Sequence, residues 1–422
     1  MESRETFDPV AYINTPRWRS SRPGLERIAD LMERLGNPQE SLRFVHVAGT
    51  NGKGSTCAFL ASILQHAGYK TGLFTSPYII EFSDRIRVNG ENIAPQDLYD
   101  VTLLVREHAE AMEDHPTEFE LMTAVALVHF ARVGCDICVL EVGLGGSMDS
   151  TNIIPAPEVC AIAPIDYDHT DLLGDTLAKI AAEKSGIVKP GASVVSAVQD
   201  SEAAAVLETA CARCGCKLAY VDESSLEGTP LDFRYGDDEG LRIGLLGSYQ
   251  TKNAALAIEA VRALCARGFA ISDEALRLGL AETYWPGRFE VVAHDPTFIV
   301  DGGHNPQGAK ALVDSLKLNF PGCKPVFLMG VLGDKDFTFM VNAIAPLASA
   351  FVCIAPPNPR ALAAEDLARV ISGSGSLGEG VPVEVAQSIP QGVSLARELA
   401  GGEGIVCACG SLYSIADIMA AL

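Results

Sequence analysis

Apolar positions along this chain follow two rhythms that take turns. Short runs such as "CDICVLEVG" (Cys135 to Gly143) and "EVCAIAPI" (Glu158 to Ile165) have the length and continuity of strands buried in a parallel sheet. Between them, "EFELMTAVALVHFARVG" and "DTLAKIAAEKSGIV" carry apolar residues at helical spacing. "GLERIADLMERLGNP" does the same and stops at Gly36, with Pro38 just beyond. In "VHVAGTNGKGSTCAFL" (Val45 to Leu60) an apolar and polar alternation enters a glycine-rich turn and passes directly into a helical pattern. Strand, helix and strand in this order predict the βαβ units of a doubly wound sheet.

After "SYQTKNAALAIEAVRALCARG" the pattern breaks at Pro286 and Gly287 in "TYWPGRFEVV", and a second series of strands follows at "TFIVDGGHN", "PVFLMGVLGD", "AFVCIAPP" and "GIVCACGS". We expect an α/β fold. Residues 1–287 would form a domain with a P-loop-type, mostly parallel sheet, and residues 288–422 a smaller Rossmann-like α/β domain. "ISGSGSLGEG" reads as a flexible surface loop.

At 422 residues the chain exceeds the length at which single cores stop growing, which favours two domains. A net charge of -22 argues against nucleic acid and anionic membrane as partners, so an anionic ligand must be held locally. The amino-terminal stretch lacks the apolar core of a leader, and no apolar run reaches the roughly 20 residues that span a bilayer. A cytoplasmic protein is expected. Most of the twelve cysteines sit in apolar strings, as small reduced hydrophobes do. Cys211, Cys214 and Cys216 imitate a metal knuckle, but without a second knuckle nearby they read as a helix end with incidental thiols.

The opening loop holds the most specific chemistry. Gly49, Thr50, Asn51, Gly52, Lys53 and Gly54 allow close backbone approach to phosphate oxygens, Lys53 supplies charge, and Ser55 and Thr56 offer hydroxyls to a phosphate or magnesium. The loop departs from the usual pattern, with Val47 in place of the first glycine and Gly54 between Lys53 and the hydroxyls. Glu141 ends an apolar run, where open α/β sheets bind ligands, and suits magnesium or a loop cap. Asp166, Asp168, His169 and Asp171 form either a cation cluster or a polar loop. Lys184 reads as a solvated helix lysine. Asp301, His304 and Asn305 end another strand, as a ligand site or a plain turn, and Lys335 could reach a phosphate or sit in a surface turn.

Together "HVAGTNGKGST", "TSPYIIEFSDRIRVNG", "LEVGLGG", "IDYDHTDLLG", "IAAEKSGIVKPG", "WPGRFE", "DGGHNPQGA" and "GVLGDKDF" resemble the folylpolyglutamate synthase and dihydrofolate synthase family of the Mur ligase superfamily, in the family's order. The resemblance implies a monomeric ATP-dependent ligase. It would activate a pteroyl carboxylate, of a reduced folate or dihydropteroate, as an acyl phosphate for attack by L-glutamate. It further implies that the loop residues Gly49 to Thr56, with Asn253, Arg288 and Asp301, bind ATP, and that Lys53, Lys184 and His304 are catalytic. Two magnesium ions would be held by Ser55, Ser76, Glu141, His169 and Lys184, the lysine carbamylated, with Ser411 near the glutamate. Ser147 and Met148 stand where the family commonly has Arg and a large apolar residue. Two other readings compete: a peptidoglycan-precursor or cyanophycin-type amide ligase, and a P-loop regulator whose nucleotide state switches partner binding.

Overall fold

The computed structural model describes residues 7–15 and 23–422; residues 1–6 and 16–22, part of the stretch read above for a leader, lie outside the described residues. Three sheets organise the fold. The first contains β1 (Phe44–Ala48), β2 (Thr71–Phe74), β3 (Ile86–Val88), β4 (Glu91–Asn92), β5 (Ile137–Glu141), β6 (Val159–Ile162), β7 (Ser193–Ser196) and β8 (Leu218–Tyr220), in the order β4-β3-β2-β5-β1-β6-β7-β8. From β2 across to β8 the pairing is parallel, and at the other edge β3 runs antiparallel to both β2 and β4. Every residue of β1, β5 and β6 is buried, because helices cover both faces. Lys53–His66 and Gln250–Ala266 cover one face, and Pro95–Ala109 and Glu118–Val133 the other. Each wholly buried Val, Leu or Ile contributes about 1.5–3 kcal/mol, so these continuous apolar runs drive the sheet inside.

A three-stranded antiparallel sheet follows: β9 (Leu226–Thr229), β10 (Asp232–Tyr235) and β11 (Asp238–Leu241). It was not evident in the pattern, since β10 buries only Phe233 and Tyr235, and β9 is largely exposed. The third sheet comprises β12 (Glu290–Ala293), β13 (Thr297–Asp301), β14 (Val326–Met329), β15 (Ala350–Cys353), β16 (Val383–Val385) and β17 (Ile405–Cys409), ordered β12-β13-β17-β14-β15-β16. Only β12 is antiparallel to its neighbour. The α/β architecture with two mostly parallel sheets is as the pattern predicted.

Parallel strands in register release their chains at one edge. Val47 lies level with Glu141 and Ala161, and Asp301 with Cys409, so the loops after β1, β5 and β6 gather on one rim and those after β13 and β17 on another. The thiols of Cys214 and Cys216 donate to the carbonyls of Val188 and Lys189 at the end of helix Ser201–Cys214. Among the described residues no helix is long and apolar enough to cross a membrane.

Helix Asp273–Ala281 crosses Lys53–His66 so closely that a Cβ on Gly279 would stand 2.4 Å from the Ile63 Cα. Gly279→Ala is therefore expected to overpack this crossing and cost about 1–3 kcal/mol, read as a lower urea midpoint. An unchanged midpoint would refute the close crossing.

Candidate active site

The loop after β1 is wedged on both sides. A Cβ on Gly49 (φ 146°) would stand 2.7 Å from the Ala163 Cβ, and one on Gly52 (φ 86°) 2.4 Å from Asn253 Oδ1. Only glycine meets both the left-handed backbone and the contact. Thr50 N donates to Pro164 O at 2.8 Å, and the Thr50 hydroxyl donates to Asp166 O at 2.9 Å while accepting from Asp166 N at 3.0 Å. Lys53 opens the helix and donates to Gly49 O at 3.2 Å and Thr50 O at 3.1 Å.

Lys184 also donates to Gly49 O, at 2.8 Å, so two ammonium groups meet one carbonyl. The expectation of a solvated Lys184 is corrected: it is buried, because Gly146 lies flat against its helix, where a Cβ would stand 2.7 Å from Glu183 O. Burial, and then the charge of Lys53, pull the Lys184 amine down to about 7.

Glu141 is buried at the end of β5 and accepts from Ser76 N at 3.2 Å, while Arg85 donates to the Ser76 hydroxyl at 3.2 Å. Burial raises the Glu141 carboxyl, against the pull of Lys53. The Ser55 hydroxyl accepts from Gln250 Nε2 at 3.2 Å. A carboxylate and two hydroxyls form an oxygen-only donor set of the kind a hard divalent cation prefers, so these residues fit magnesium. Among the described residues no three His, Cys, Asp or Glu side chains group to hold a metal unaided. The contacts of Asp166, Asp168 and Asp171 are those of the polar-loop reading. Asp166 caps Tyr167 N at 2.8 Å, Asp171 is exposed, and Asp168 accepts from Lys335 Nζ at 3.0 Å. Lys335 is no surface turn residue, being only 13% exposed at its side chain, because that ion pair draws it inward.

From the third sheet, Asp301 accepts three hydrogen bonds: from the Tyr249 hydroxyl at 3.2 Å, Phe289 N at 2.9 Å and Gly303 N at 2.8 Å. Burial raises its carboxyl, with Arg288 opposing. The His304 ring is held down to about 4, first by burial. Its Nδ1–H donates to Gly302 O at 3.0 Å, which leaves Nε2 as an acceptor. Asn305 Nδ2 donates to Asn51 Oδ1 at 3.1 Å, and Asn51 donates to Gln307, so the two rims touch through side chains.

Between the rims lies a cleft of about 720 Å³. The loop from Gly49 to Ser55 lines it, with Ser76, Glu141, His169, Lys184, Asn253, Arg288, Asp301 and His304. Thr56 does not line it; its hydroxyl is buried without a partner among the described residues. Ser411 stands off the lining, accepting from Tyr413 N as a cap. Tyr249, Gln307 and Lys310 also line the cleft. Sequence reading gave them no role: Gln307 stood inside a quoted motif, and Tyr249 carries no periodic signal. Ser147, where the family's Arg commonly stands, donates to the Glu183 carboxylate, and Met148 is exposed.

Residues 47–261 match the Mur ligase middle domain and residues 287–412 the Mur ligase glutamate ligase domain. The chain is 38% identical to dihydrofolate synthase/folylpolyglutamate synthase of Bacillus subtilis, covering 97% of this chain and 98% of that protein. It is 32% identical to the Escherichia coli protein of the same name, covering 97% and 94%. Among solved structures, Escherichia coli FolC in complex with DHPP and ADP matches with a TM-score of 0.87 and 30% identity, over 97% of this chain and 96% of that one. A bifunctional folylpolyglutamate synthase/dihydrofolate synthase with Mn, AMPPNP and L-glutamate bound matches with a TM-score of 0.84 and 29% identity, over 99% and 98%.

One buried network steadies the cleft from behind. The Thr151 hydroxyl donates to Asp149 Oδ1 at 2.5 Å and accepts from His46 Nε2 at 2.8 Å, while Leu144 N donates to Asp149 Oδ2 at 2.8 Å. Burial holds His46 at about 3 against an ordinary 6.5. Between those values the unfolded chain binds a proton that the fold excludes, so this histidine costs stability as pH falls from 6.5 toward 3. His46→Gln is expected to flatten the fall in melting temperature between pH 7 and 4. An unchanged slope would show that His46 titrates normally.

Proposed function

The chain belongs to the folylpolyglutamate synthase and dihydrofolate synthase family of Mur-type ligases, and we propose that the cleft between the two sheet rims is its active site. It is an ATP-dependent ligase that joins L-glutamate to a folate. One observation carries the assignment of the cleft: the glycine loop with Lys53 and Glu141 faces Asp301 and His304 across a single space.

We assign the main nucleotide-binding surface to residues 1–287 and the glutamate site to residues 288–422, whose Arg288 and Asp301 reach across to the nucleotide. The loop N–H groups, Lys53 and Arg288 hold the triphosphate and offset its charge. Asn253 and Asp301 border the nucleotide from either side of the cleft. Phosphoryl transfer from ATP to the pteroyl carboxylate gives an acyl phosphate and ADP; the neutral glutamate amine then attacks the carbonyl carbon, the C–O bond to phosphate breaks, and the proton lost from nitrogen leaves with the phosphate. His304 Nε2 accepts a hydrogen bond from that amine and orients it, since its Nδ1 proton is committed to Gly302. Ser55, Ser76 and Glu141 would hold one magnesium ion, and His169 with carbamylated Lys184 a second. Bound there, magnesium supplies positive charge against the oxygens of the transferring group. A P-loop regulator would give His304 and Asp301 no task.

Closing the rims keeps water from the acyl phosphate. The protein is proposed to act as a cytoplasmic monomer.

Purified protein with ATP, magnesium and L-glutamate is expected to release ADP only when dihydropteroate or tetrahydrofolate is also present. The pterin that works separates synthase from polyglutamylase, and release indifferent to both would overturn the ligase reading. Lys53→Met is expected to lower the pterin-dependent turnover by roughly 10²–10³-fold. Carbamylation is tested separately: with ¹³C-bicarbonate, NMR should show a carbamate carbonyl that Lys184→Ala abolishes, and a spectrum identical in both proteins would remove the carbamate.

A further inference from the structure

A second cavity, of about 160 Å³, shares no lining residue with the cleft. It lies between the outer face of helix Lys53–His66 (Ala58, Ala61, Ser62), the β3 edge at Arg87, and Tyr284 and Trp285 ahead of the third sheet. Arg87 is half-buried, and its side chain makes no hydrogen bond or ion pair to another described residue. The nearby carboxylates are engaged elsewhere. Asp84 accepts from the N–H groups of Ile79, Ile80 and Glu81, and Glu81 accepts from Asn92. At the rim, Glu282 is paired with His66 and the Tyr284 hydroxyl donates to Glu290.

The Arg87 guanidinium stacks 5.3 Å from the Trp285 ring centre. Stacking satisfies the face of a guanidinium but none of the N–H donors in its plane. Arg87 Nε and Trp285 Nε1, the latter in a side chain only 4% exposed, are sealed off with no acceptor among the described residues, and the terminal nitrogens of Arg87, a residue that lines the cavity, meet none either. Donors left so are costly unless something accepts from them. In a chain of net charge -22, a guanidinium with no carboxylate bonded to it needs a reason.

We propose that this cavity is a binding site for a small oxyanion, a carboxylate or a phosphate, held by the Arg87 guanidinium where it stacks on Trp285 and separate from the nucleotide cleft. A phosphate or one carboxylate arm of a dicarboxylate fits the space and accepts from the terminal N–H groups of Arg87, which no described residue meets. Glu282 at the rim limits the site to a small anion that enters past it. The site touches the phosphate loop, because the Trp285 indole abuts Gly54, where a Cβ would stand 3.1 Å from Nε1. Occupancy would therefore bear on the first turn of the helix that carries Lys53.

The chain has two tryptophans, so Trp18→Phe leaves Trp285 as the sole reporter. Full-length protein in that background is titrated with inorganic phosphate and, separately, with glutarate, against chloride at equal ionic strength, while Trp285 emission is followed. A saturable change with an oxyanion but not with chloride is expected. It should weaken by roughly tenfold or more in Arg87→Met. It should persist in Lys53→Met, which removes the cleft's own phosphate contact. Ser62→Glu places a carboxylate inside the cavity and should abolish the response while Arg87 remains. A response to glutarate alone assigns a carboxylate ligand, and one to phosphate alone a phosphate. The proposal falls if neither anion gives a saturable change, if folded Arg87→Met responds as its parent does, or if Lys53→Met abolishes the signal. Should Arg87→Met fail to fold, a response surviving in folded Ser62→Glu overturns the site.

Discussion

A lysine stays buried in this cleft because a backbone carbonyl is turned to meet it. Gly49 O accepts from both Lys184 and Lys53, and that orientation requires the positive φ of Gly49, its contact with Ala163, and the bond from Thr50 N to Pro164 O. Loosening any one of these would leave two like charges in a poorly solvated space with less to hold them. The phosphate loop, the exit of β6 and the helix bearing Lys184 thus stand or fall together.

The third sheet joins this arrangement through polar contacts. Asp168 pairs with Lys335, Asn51 with Asn305 and Gln307, and Tyr249 with Asp301. Contacts of this type are directional and individually modest, so they set orientation more than they add cohesion. Each of these pairs has a member that also lines the cleft. A ligand entering there competes for the same groups, which ties binding to the spacing of the rims.

Polar groups stand on both sides of helix Lys53–His66. On the cleft side Ser55 pairs with Gln250, Asn253 with Gln250 and Glu141 with Ser76, while the Thr56 hydroxyl and Arg85 Nε stay unpartnered among the described residues. On the outer side, Arg87 and Trp285 keep buried donors without acceptors around a small cavity.

The sequence by itself determined the alternation of buried strands and helices and the glycine loop with its lysine, because continuous apolar runs and glycine turns impose their structure locally. It also marked Glu141, Asp301 and His304 as strand-end residues, since a polar side chain directly after a buried run must emerge at the rim. The tertiary structure alone decided that Lys184 is buried, that Lys335 turns inward to Asp168 instead of sitting on a surface turn, and that the Asp166 to Asp171 segment is a set of caps and one ion pair. These outcomes depend on partners more than a hundred residues away, Gly49 for Lys184 and Asp168 for Lys335, and no local spacing encodes such a meeting. The antiparallel sheet β9 to β11 escaped notice for the opposite reason, because strands that bury so little leave almost no apolar signal.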